Sequence, residues 1–488
     1  MKILLKLFSL KLVSSLLGLL YSIIQVHYFG ASRTIEIYFA AQSLVYLVTS
    51  LTQSGQLAEV FLPEYHKLNT IKAGLGYKGL NVVINRMVLF GTLLIVLIFA
   101  FAHYVVDLMV PGFSQQDKDF ATLIFRILLP VLYLALMNSF YITVLNAEER
   151  FGRTELLGLT NTIVNILVLV VLYPFIELWA LVISFILGKI IEFIFYVWQL
   201  YKNGYRFQRV LSIEEFDHIS FFKTMQSTFL YVGATQIYSI VLTASISFLP
   251  EGVYAIFKYV QNLANKIKGL FIQPFMTIFF TKYSILLQKA KSVYKEFNKN
   301  IISIINVNAI VIIGTILLGD FIIDLIWGGE KFSIENVQLA YVFLLFNVVA
   351  VLLSSLGIIY RKMAVAHGKA KKLYLFWVIA QLLSAFFSFL LIKYFGIQGL
   401  LFIIPLNTFL MGLTSYLVYK LTDNSIDFKF YSRNNAIAIV LIGVAIFIKY
   451  LFKDTIFLEN NILLILFFLL SVILLSLYPI FSTYKVLK

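Results

Sequence analysis

The chain has 488 residues, of which 61% are hydrophobic and only 13% are charged, and its mean hydropathy is +0.91. Soluble domains average about 25% charged residues, so this composition excludes a soluble globular protein and predicts one that crosses the membrane many times. The formal net charge is +15, but the cations lie in short loops between apolar runs, which favours cytoplasmic loops over a nucleic-acid-binding surface. The absence of cysteine excludes disulfides, thiol catalysis and cysteine-ligated metals.

Hydropathy predicts about fourteen membrane-spanning helices, and so an all-α polytopic membrane fold. The first span begins like a signal peptide, but its apolar run continues to Phe29 without a small-residue cleavage motif, so we expect it to be retained. Polar residues interrupt the second span, as expected of a helix that faces water on one side. The predicted spans lie near residues 7–29, 36–54, 80–106, 121–145, 156–176, 178–199, 224–249, 253–280, 300–327, 336–360, 373–393, 397–419, 435–451 and 461–481.

The distribution of lysine and arginine predicts that both termini are cytoplasmic. In that orientation about 28 of the 39 basic residues lie in cytoplasmic loops or at cytoplasmic span ends, and about six lie outside. Five cations remain within spans, where a charge is costly and therefore a candidate for function. They are Arg126, Lys189, Lys258, Lys266 and Lys268.

A weak internal repeat predicts two related lobes. The segment Ile37–Leu44 (IYFAAQSL) resembles Ile256–Leu263 (IFKYVQNL), and each lies in the second span of its half. An even number of spans between the two segments makes the repeat parallel, with its axis along the membrane normal. The predicted domains are an N-terminal lobe at 1–200, a cytoplasmic linker at 201–223, a C-terminal lobe at 224–420 and two additional helices at 421–488.

The eighth span, Glu251–Lys282, carries lysines and amides within about one half of its circumference, at about 100° per residue. One interpretation places this face in a watery cavity, where a cationic lining would bind an anion. In the alternative, the lysine stems extend to the membrane interface, which suits Lys258 best because it is nearest to an end. The residues of this face are Lys258, Gln261, Asn262, Asn265, Lys266, Lys268 and Gln273.

The first, second and seventh spans are polar as well, and with the eighth they form the equivalent pairs of the two lobes. This coincidence favours a shared cavity, whereas dry helix packing through small and hydroxylated residues is the alternative. The further candidate ligand-binding residues are therefore Tyr21, Ser22, Gln25, Glu36, Gln42 and Gln236.

The remaining polar residues of the spans do not indicate a catalytic or metal-binding site. Lys189 and Glu192 lie three residues apart in the sixth span, and an internal ion pair is the favoured interpretation. The histidines have no metal-ligand spacing, and the sequence has no nucleotide-binding motif, nucleophile elbow or recognisable carboxylate pair. The sequence therefore predicts no enzyme, no cofactor and no metal site.

Several short motifs follow one another in a recognisable order. They are FGASRTIEIYFAAQSL at Phe29–Leu44, VPGF at Val110–Phe113, TVLNAEERF at Thr143–Phe151, WGGEKFS at Trp327–Ser333 and YRKMAVAHGKAKK at Tyr360–Lys372. In order and spacing the chain resembles the MurJ (MviN) lipid II flippase family over essentially its full length. This resemblance implies a multidrug/oligosaccharidyl-lipid/polysaccharide (MOP) exporter fold, with two six-helix lobes around a central cavity that opens alternately to each side. It also implies cargo of the class of undecaprenyl-diphosphate-linked saccharides.

The chain departs from the pattern of that family where lipid II flippases typically carry arginine or aspartate. The positions that lack these charges are Ser15, Tyr21, Ser22, Thr49, Ser50 and Asn262. The acid that the family has at the start of the second span corresponds to Glu36. These departures favour a related cargo, such as an O-antigen, capsule or exopolysaccharide precursor, beside lipid II itself.

The predicted function is transport of a polyprenyl-diphosphate-linked saccharide across the bacterial inner membrane. Its partners would be an undecaprenyl-diphosphate-linked glycan and membrane lipids, with no nucleic acid. Lys258, Asn262 and Lys266 would contact the diphosphate. Two alternatives stay open: an ion-coupled multidrug exporter, which needs an essential acid in its cavity, and a non-transporting envelope-assembly scaffold, which would tolerate loss of the lysines. The glycan, the energy source and the oligomeric state stay open as well.

Overall fold

The computed structural model describes residues 2–53, 56–148, 151–272, 294–366, 369–420, 428–452 and 462–487. Within these ranges the chain forms sixteen helices and no strand, apart from a single bridge between Gly329 and Phe332. The predicted all-α membrane class is confirmed.

The chain divides into two compact units, Met1–Ala255 and Ile256–Lys488. The helices that begin in the first unit are α1 (Lys2–Phe29), α2 (Arg33–Gln53), α3 (Gln56–Ile71), α4 (Leu75–Ala100), α5 (Ala102–Met109), α6 (Gln115–Leu128), α7 (Val131–Ala147), α8 (Phe151–Ile176), α9 (Leu178–Lys202), α10 (His218–Ile246) and α11 (Val253–Phe271). The second unit contains the rest of α11 followed by α12 (Tyr294–Trp327), α13 (Ile334–Ala366), α14 (Ala370–Lys420), α15 (Phe428–Leu451) and α16 (Ile462–Leu487). The first unit includes α10 because this helix packs on α2, α3 and α5. The lobe boundary at 201–223 was predicted from the internal repeat, and it stays a prediction.

Every predicted span overlaps a helix. Among the described residues, eight helices are long and apolar enough to cross a membrane, and the bent pair α6–α7 raises this number to nine. Helix α14 has 51 residues and is broken at Gly396, where φ is 56°, so it covers the two predicted spans 373–393 and 397–419. The predicted number of fourteen spans is consistent with these helices and stays a prediction.

The predicted span at 121–145 is bent rather than straight. Helices α6 and α7 meet at an angle of 46° across Leu129 and Pro130. Proline has no N–H to donate to the preceding turn, and its ring displaces the backbone there, so the helix bends. Hydropathy did not reveal this bend because the residues on both sides of it are equally apolar.

The connection between α9 and α10 lies against α4. The side-chain amide of Asn81 donates to the carbonyl oxygen of Arg206 at 2.9 Å, and that of Asn85 donates to the carbonyls of Gln208 and Val210 at 2.8 and 2.9 Å. The buried Tyr205 hydroxyl donates to Asn81 Oδ1 at 2.7 Å, and burial raises the pKa of this phenol, which keeps it a donor. The segment that was predicted as a linker is thus attached to the first unit by the side chains of one helix.

In the second unit, α13 and α14 approach closely at two glycines. A Cβ atom on Gly357 would lie 2.8 Å from the Cα atom of Gly412, so only a residue without a side chain fits there. Within α14, the indole Nε1 of Trp377 donates to the Ser415 hydroxyl at 3.0 Å, which joins the two halves of this helix across the break.

Helices α12 and α15 are joined by an ion pair. The Lys449 Nζ atom lies 2.8 Å from both carboxylate oxygens of Asp320 and 3.2 Å from the carbonyl oxygen of Leu317. An ammonium group has three hydrogens, so these three acceptors satisfy it completely. The pair therefore acts as a link between the two helices.

Candidate functional site

Helix α11 has one buried and one accessible face. Its buried side includes Ile256, Tyr259, Val260 and Ala264, which are at most 3% exposed. The predicted polar face is accessible: Asn262 and Asn265 are exposed, and Lys258, Gln261, Lys266 and Lys268 are partly buried. Gln273, the last residue predicted for this face, lies outside the described residues. A helix that crosses hydrocarbon with such a face needs water or a polar ligand beside it.

The lysines of this face are spread along the helix axis. Ten residues separate Lys258 from Lys268, which corresponds to about 15 Å at 1.5 Å per residue. The guanidinium of Arg361 on α13 is close enough to Lys268 to repel its charge electrostatically. Arg361 also lies over the ring of Trp377, with its Cζ atom 4.7 Å from the ring centroid. A phosphate-bearing ligand would relieve the repulsion between these two cations.

The first turn of α11 is capped by a residue from another helix. The Glu36 carboxylate on α2 accepts hydrogen bonds from the backbone N–H groups of Tyr254 at 3.0 Å and Ala255 at 3.4 Å. Its second oxygen pairs with the Arg33 guanidinium at 2.8 Å, and the residue is 1% exposed. A carboxylate at this place satisfies N–H groups that have no partner within the helix and favours the positive end of the helix dipole. Glu36 was predicted to contact the ligand, and that role stays a prediction.

The turns beside the first turn of α11 contact one another within the first unit. The backbone N–H of Arg33 donates to Glu251 Oε1 at 2.7 Å, and the Arg33 guanidinium lies 4.4 Å from the centre of the Phe113 ring. The backbone N–H of Gly112 donates to the Ser247 hydroxyl at 2.9 Å. The start of α2, the turn before α6 and the turn before α11 therefore form one hydrogen-bonded assembly.

Three of the predicted residues on α1 and α2 lie in one polar region of the first unit. The Tyr21 hydroxyl is buried near Gln25, Tyr38 and Ser184, and the Gln42 amide donates to the Tyr38 hydroxyl at 2.9 Å. The structure thus gathers Tyr21, Gln25 and Gln42. The predicted residue Ser22 is buried on α1, and the predicted residue on α10, Gln236, is partly buried. Sequence analysis missed Tyr38 and Ser184, which the apolar pattern of their helices gave no reason to select.

The Lys189–Glu192 ion pair predicted in the sixth span is confirmed. The Lys189 Nζ atom lies 2.7 Å from Glu192 Oε2, and the side-chain amide of Asn161 on α8 donates to the same oxygen at 3.2 Å. Gly188 makes room for this arrangement, since a Cβ atom there would lie 2.4 Å from Asn161 Oδ1 and 2.2 Å from Asn165 Oδ1. The pair is therefore part of a fitted contact between α8 and α9.

Comparison with known proteins decides the family. The family model described as "Lipid II flippase MurJ" matches residues 25–482. The chain belongs to the MurJ lipid II flippase family. It is 24% identical over 196 residues to the lipid II flippase MurJ of Thermosipho africanus, and 24% identical over 288 residues to a probable lipid II flippase MurJ of Buchnera aphidicola. These alignments cover 40% and 57% of this chain and 40% and 56% of the respective relatives, so the chain spans about half the length of the curated relatives it matches.

Solved structures agree on the fold. A structure described as lipid II flippase MurJ in an inward closed conformation matches with a TM-score of 0.79 at 21% identity, over 99% of both chains. An inward-facing multidrug resistance MATE family transporter of the MOP superfamily matches with a TM-score of 0.65 at 13% identity, over 86% of this chain and 97% of that one. The MurJ-like fold is thereby established, and it resembles that of the MATE transporter.

Membership of the MurJ family makes this chain a multi-pass protein of the bacterial inner membrane, in a family of transporters. Within the described ranges, no group of three or more His, Asp or Glu side chains is arranged to hold a metal ion. The accessible face of α11 offers ammonium and amide groups, and the polar region around Tyr21 offers amide, hydroxyl and phenol groups. These bind anions and sugar hydroxyls.

Proposed function

We propose that this MurJ family member flips a polyprenyl-diphosphate-linked saccharide from the inner to the outer leaflet of the bacterial inner membrane. The observation that carries the proposal is the accessible face of α11, which presents Lys258, Lys266 and Lys268 along about 15 Å of a membrane helix. A diphosphate that leaves the headgroup region needs compensating charge throughout its crossing. Lysines spaced along one helix place a positive charge beside the diphosphate at successive depths of the membrane.

The diphosphate, sugar and prenyl parts of the proposed cargo would each contact a different kind of group. Lysine ammonium groups act as point charges on phosphate oxygens, and Lys258, Asn262 and Lys266 are the proposed contacts of the diphosphate. Amides and phenols such as Gln261, Asn265 and Tyr21 would meet the sugar hydroxyls. The prenyl chain would stay among the lipid tails, because its transfer into a polar site would be unfavourable.

The proposed transport cycle is alternating access, with both chain termini in the cytoplasm. In this orientation, the assembly around Glu36 and the first turn of α11 lies at the outer end of the first unit. Its hydrogen bonds would have to break when the transporter opens outward. The capping contact of Glu36 would then act as a closure that stabilises the outward-closed state.

The proposed cargo differs from that of the family members that flip lipid II. The chain lacks family arginines at Ser15, Thr49, Ser50 and Asn262 and has lysines on α11 instead. A point charge tolerates many phosphate orientations, whereas arginine imposes a bidentate geometry. This difference supports a lipid-linked precursor other than lipid II, such as one for an O-antigen, a capsule or an exopolysaccharide.

Transport by purified protein in liposomes tests the proposal. A variant with Lys258, Lys266 and Lys268 all changed to Ala should lose most flipping of a fluorescent undecaprenyl-diphosphate saccharide. The matched control changes three exposed lysines at or near the ends of α3 and α4, Lys67, Lys72 and Lys78, to Ala, which alters the net charge equally and should leave flipping unchanged. Normal flipping by the α11 variant would overturn the proposal. Retained cell-envelope function without flipping would favour a scaffold, and export of cationic drugs would favour a multidrug exporter.

A further inference from the structure

The first unit contains a charged pair in the middle of a span. Lys189 and Glu192 lie near the centre of the predicted span 178–199, where neither charge reaches headgroup water easily. An ionisable residue at this depth is costly and usually belongs to a pathway for a ligand or ion. Arg126, by contrast, is close to the end of its predicted span 121–145.

The two members of the pair differ in accessibility. The side chain of Lys189 is 20% exposed, whereas that of Glu192 is 9% exposed. The lysine side chain is therefore the more accessible member of the pair. Glu192 also keeps a second donor, since the Asn161 amide lies 3.2 Å from the oxygen that Lys189 contacts. The carboxylate would thus remain hydrogen-bonded if the lysine moved away.

The pair borders the polar region that contains Tyr21. Phe185, Lys189 and Glu192 are spaced by four and three residues, so they share one face of α9. Phe185 contacts the ring of Tyr46 on α2 at 5.9 Å between centroids, and Glu192 interacts electrostatically with the same phenol. Tyr46 in turn is close to Tyr21 and is 50% exposed. A ligand held beside Tyr21 and Tyr46 would therefore be within reach of the flexible lysine stem.

We propose that Lys189 is a second cargo-binding cation, held by Glu192 until the diphosphate of the cargo replaces that carboxylate as its partner. This inference rests on the proposed function. A diphosphate carries more negative charge than one carboxylate, so it competes for the ammonium where a singly charged or neutral lipid does not. Glu192 would thereby lower the affinity for weakly charged lipids and make the site selective for diphosphates.

The ion pair of the second unit, Lys449 with Asp320, differs from the Lys189–Glu192 pair in its hydrogen bonds and its exposure. The Lys449 ammonium is satisfied by three acceptors, two from Asp320 and one from Leu317, and its side chain is 12% exposed. Asp320 and Lys449 line a cavity of the second unit, so Asp320→Asn reports whether the probe binds in that cavity. It is therefore the comparison variant for a second charged pair within the membrane.

The test measures binding of farnesyl diphosphate to the full-length protein in detergent, with farnesol as the neutral reference. Lys189→Met should weaken binding by about tenfold, the equivalent of one charge-assisted hydrogen bond. Glu192→Gln should tighten binding, because the competing carboxylate is gone, and the double variant should bind as weakly as Lys189→Met. Lys189→Arg should restore most of the affinity, and Asp320→Asn should leave it unchanged. A purely structural pair predicts instead that Glu192→Gln weakens binding or has no effect.

Two results would overturn this inference: a Lys189→Met variant that binds like the unmodified protein, or a Glu192→Gln variant that binds no more tightly. Size-exclusion profiles and thermal unfolding identify variants that fail to fold, and Lys189→Gln, which removes the charge but keeps a donor for Glu192, then replaces Lys189→Met and should show the same loss of binding. If Lys258→Ala weakens binding while the Lys189 variants do not, only this inference falls. If the unmodified protein binds farnesyl diphosphate no better than farnesol, the proposed function falls with it.

Discussion

Glu36 caps a helix that begins 217 residues later in the chain: its carboxylate accepts a hydrogen bond from the backbone N–H of Tyr254 at 3.0 Å. A cap is usually supplied by a residue just before its helix, but here the preceding turn contains Pro250 and Gly252. The α11 helix therefore depends on α2 for the hydrogen bonds of its first turn. Tyr254 and Ala255, whose N–H groups are capped, lie in the same compact unit as Glu36.

Removing the charge of Glu36 should destabilise the protein. Glu36→Gln keeps the shape and one acceptor oxygen but loses the ion pair with Arg33 and the interaction with the helix dipole, so we expect a loss of about 1–2 kcal/mol. Glu36→Ala should lose more, because two N–H groups are left without an acceptor. Thermal unfolding in detergent measures both. The control is Glu214→Gln on the exposed connection, and equal unfolding temperatures for Glu36→Gln and Glu214→Gln would contradict the capping role.

A second prediction separates crowding from backbone strain in the turn before α11. Gly252 has φ of +89°, and a Cβ atom there would lie 2.7 Å from the carbonyl oxygen of Ala31. Gly204 has φ of +96° with no atom within 4 Å of its Cβ position. Both glycine-to-alanine changes add left-handed strain of about 1 kcal/mol, but only Gly252→Ala also adds the clash. Gly252→Ala should therefore lower the unfolding temperature clearly more than Gly204→Ala does, and equal shifts would show that the turn relaxes freely.

Transport should depend more on the charge than on the shape of the side chain at position 258. Lys258→Arg should retain more transport than Lys258→Gln, because the diphosphate requires a cation and accepts either of two geometries. The two variants must be present in the membrane at equal levels for the comparison to be valid. A Gln variant that is as active as the Arg variant would show that Lys258 extends to the interface and does not contact the cargo.

The predicted topology has a direct test, since the native chain has no cysteine. A single cysteine at Gln116, at the exposed start of α6, should react with an impermeant thiol reagent in intact cells. One at Ser212, in the exposed connection before α10, should react only after the cells are opened. The reverse labelling pattern would show that the predicted orientation in the membrane is wrong.

The cargo prediction is tested in cells depleted of their lipid II flippase. If the missing arginines reflect a different glycan, expression of this protein should not restore growth. The control is a known lipid II flippase expressed from the same plasmid at the same level. Full rescue would assign lipid II to this protein and remove the basis for a divergent cargo.

The amino-acid sequence by itself determined the features that depend on local periodicity. Apolar runs of membrane-spanning length predicted the all-α fold, because each span satisfies its backbone within itself. The spacing of polar residues predicted the accessible face of α11, and the three-residue spacing of Lys189 and Glu192 predicted their ion pair. The motifs in their order also indicated the family. None of these inferences required knowledge of which helices are neighbours.

The tertiary structure alone decided the roles that depend on distant partners. The ligand role predicted for Glu36 stays a prediction, but its cap on α11 could not be read from the sequence, because the N–H groups of Tyr254 and Ala255 that it accepts from lie more than 200 residues away. Nothing in the sequence was a reason to select Gly188, whereas the structure shows that two asparagine amides of α8 leave no room for a Cβ atom there. Arg361 joined the cationic site only because α13 lies beside α11. Such contacts join residues far apart in the chain, and pattern along one helix carries no information about the side chains that a second helix brings to it.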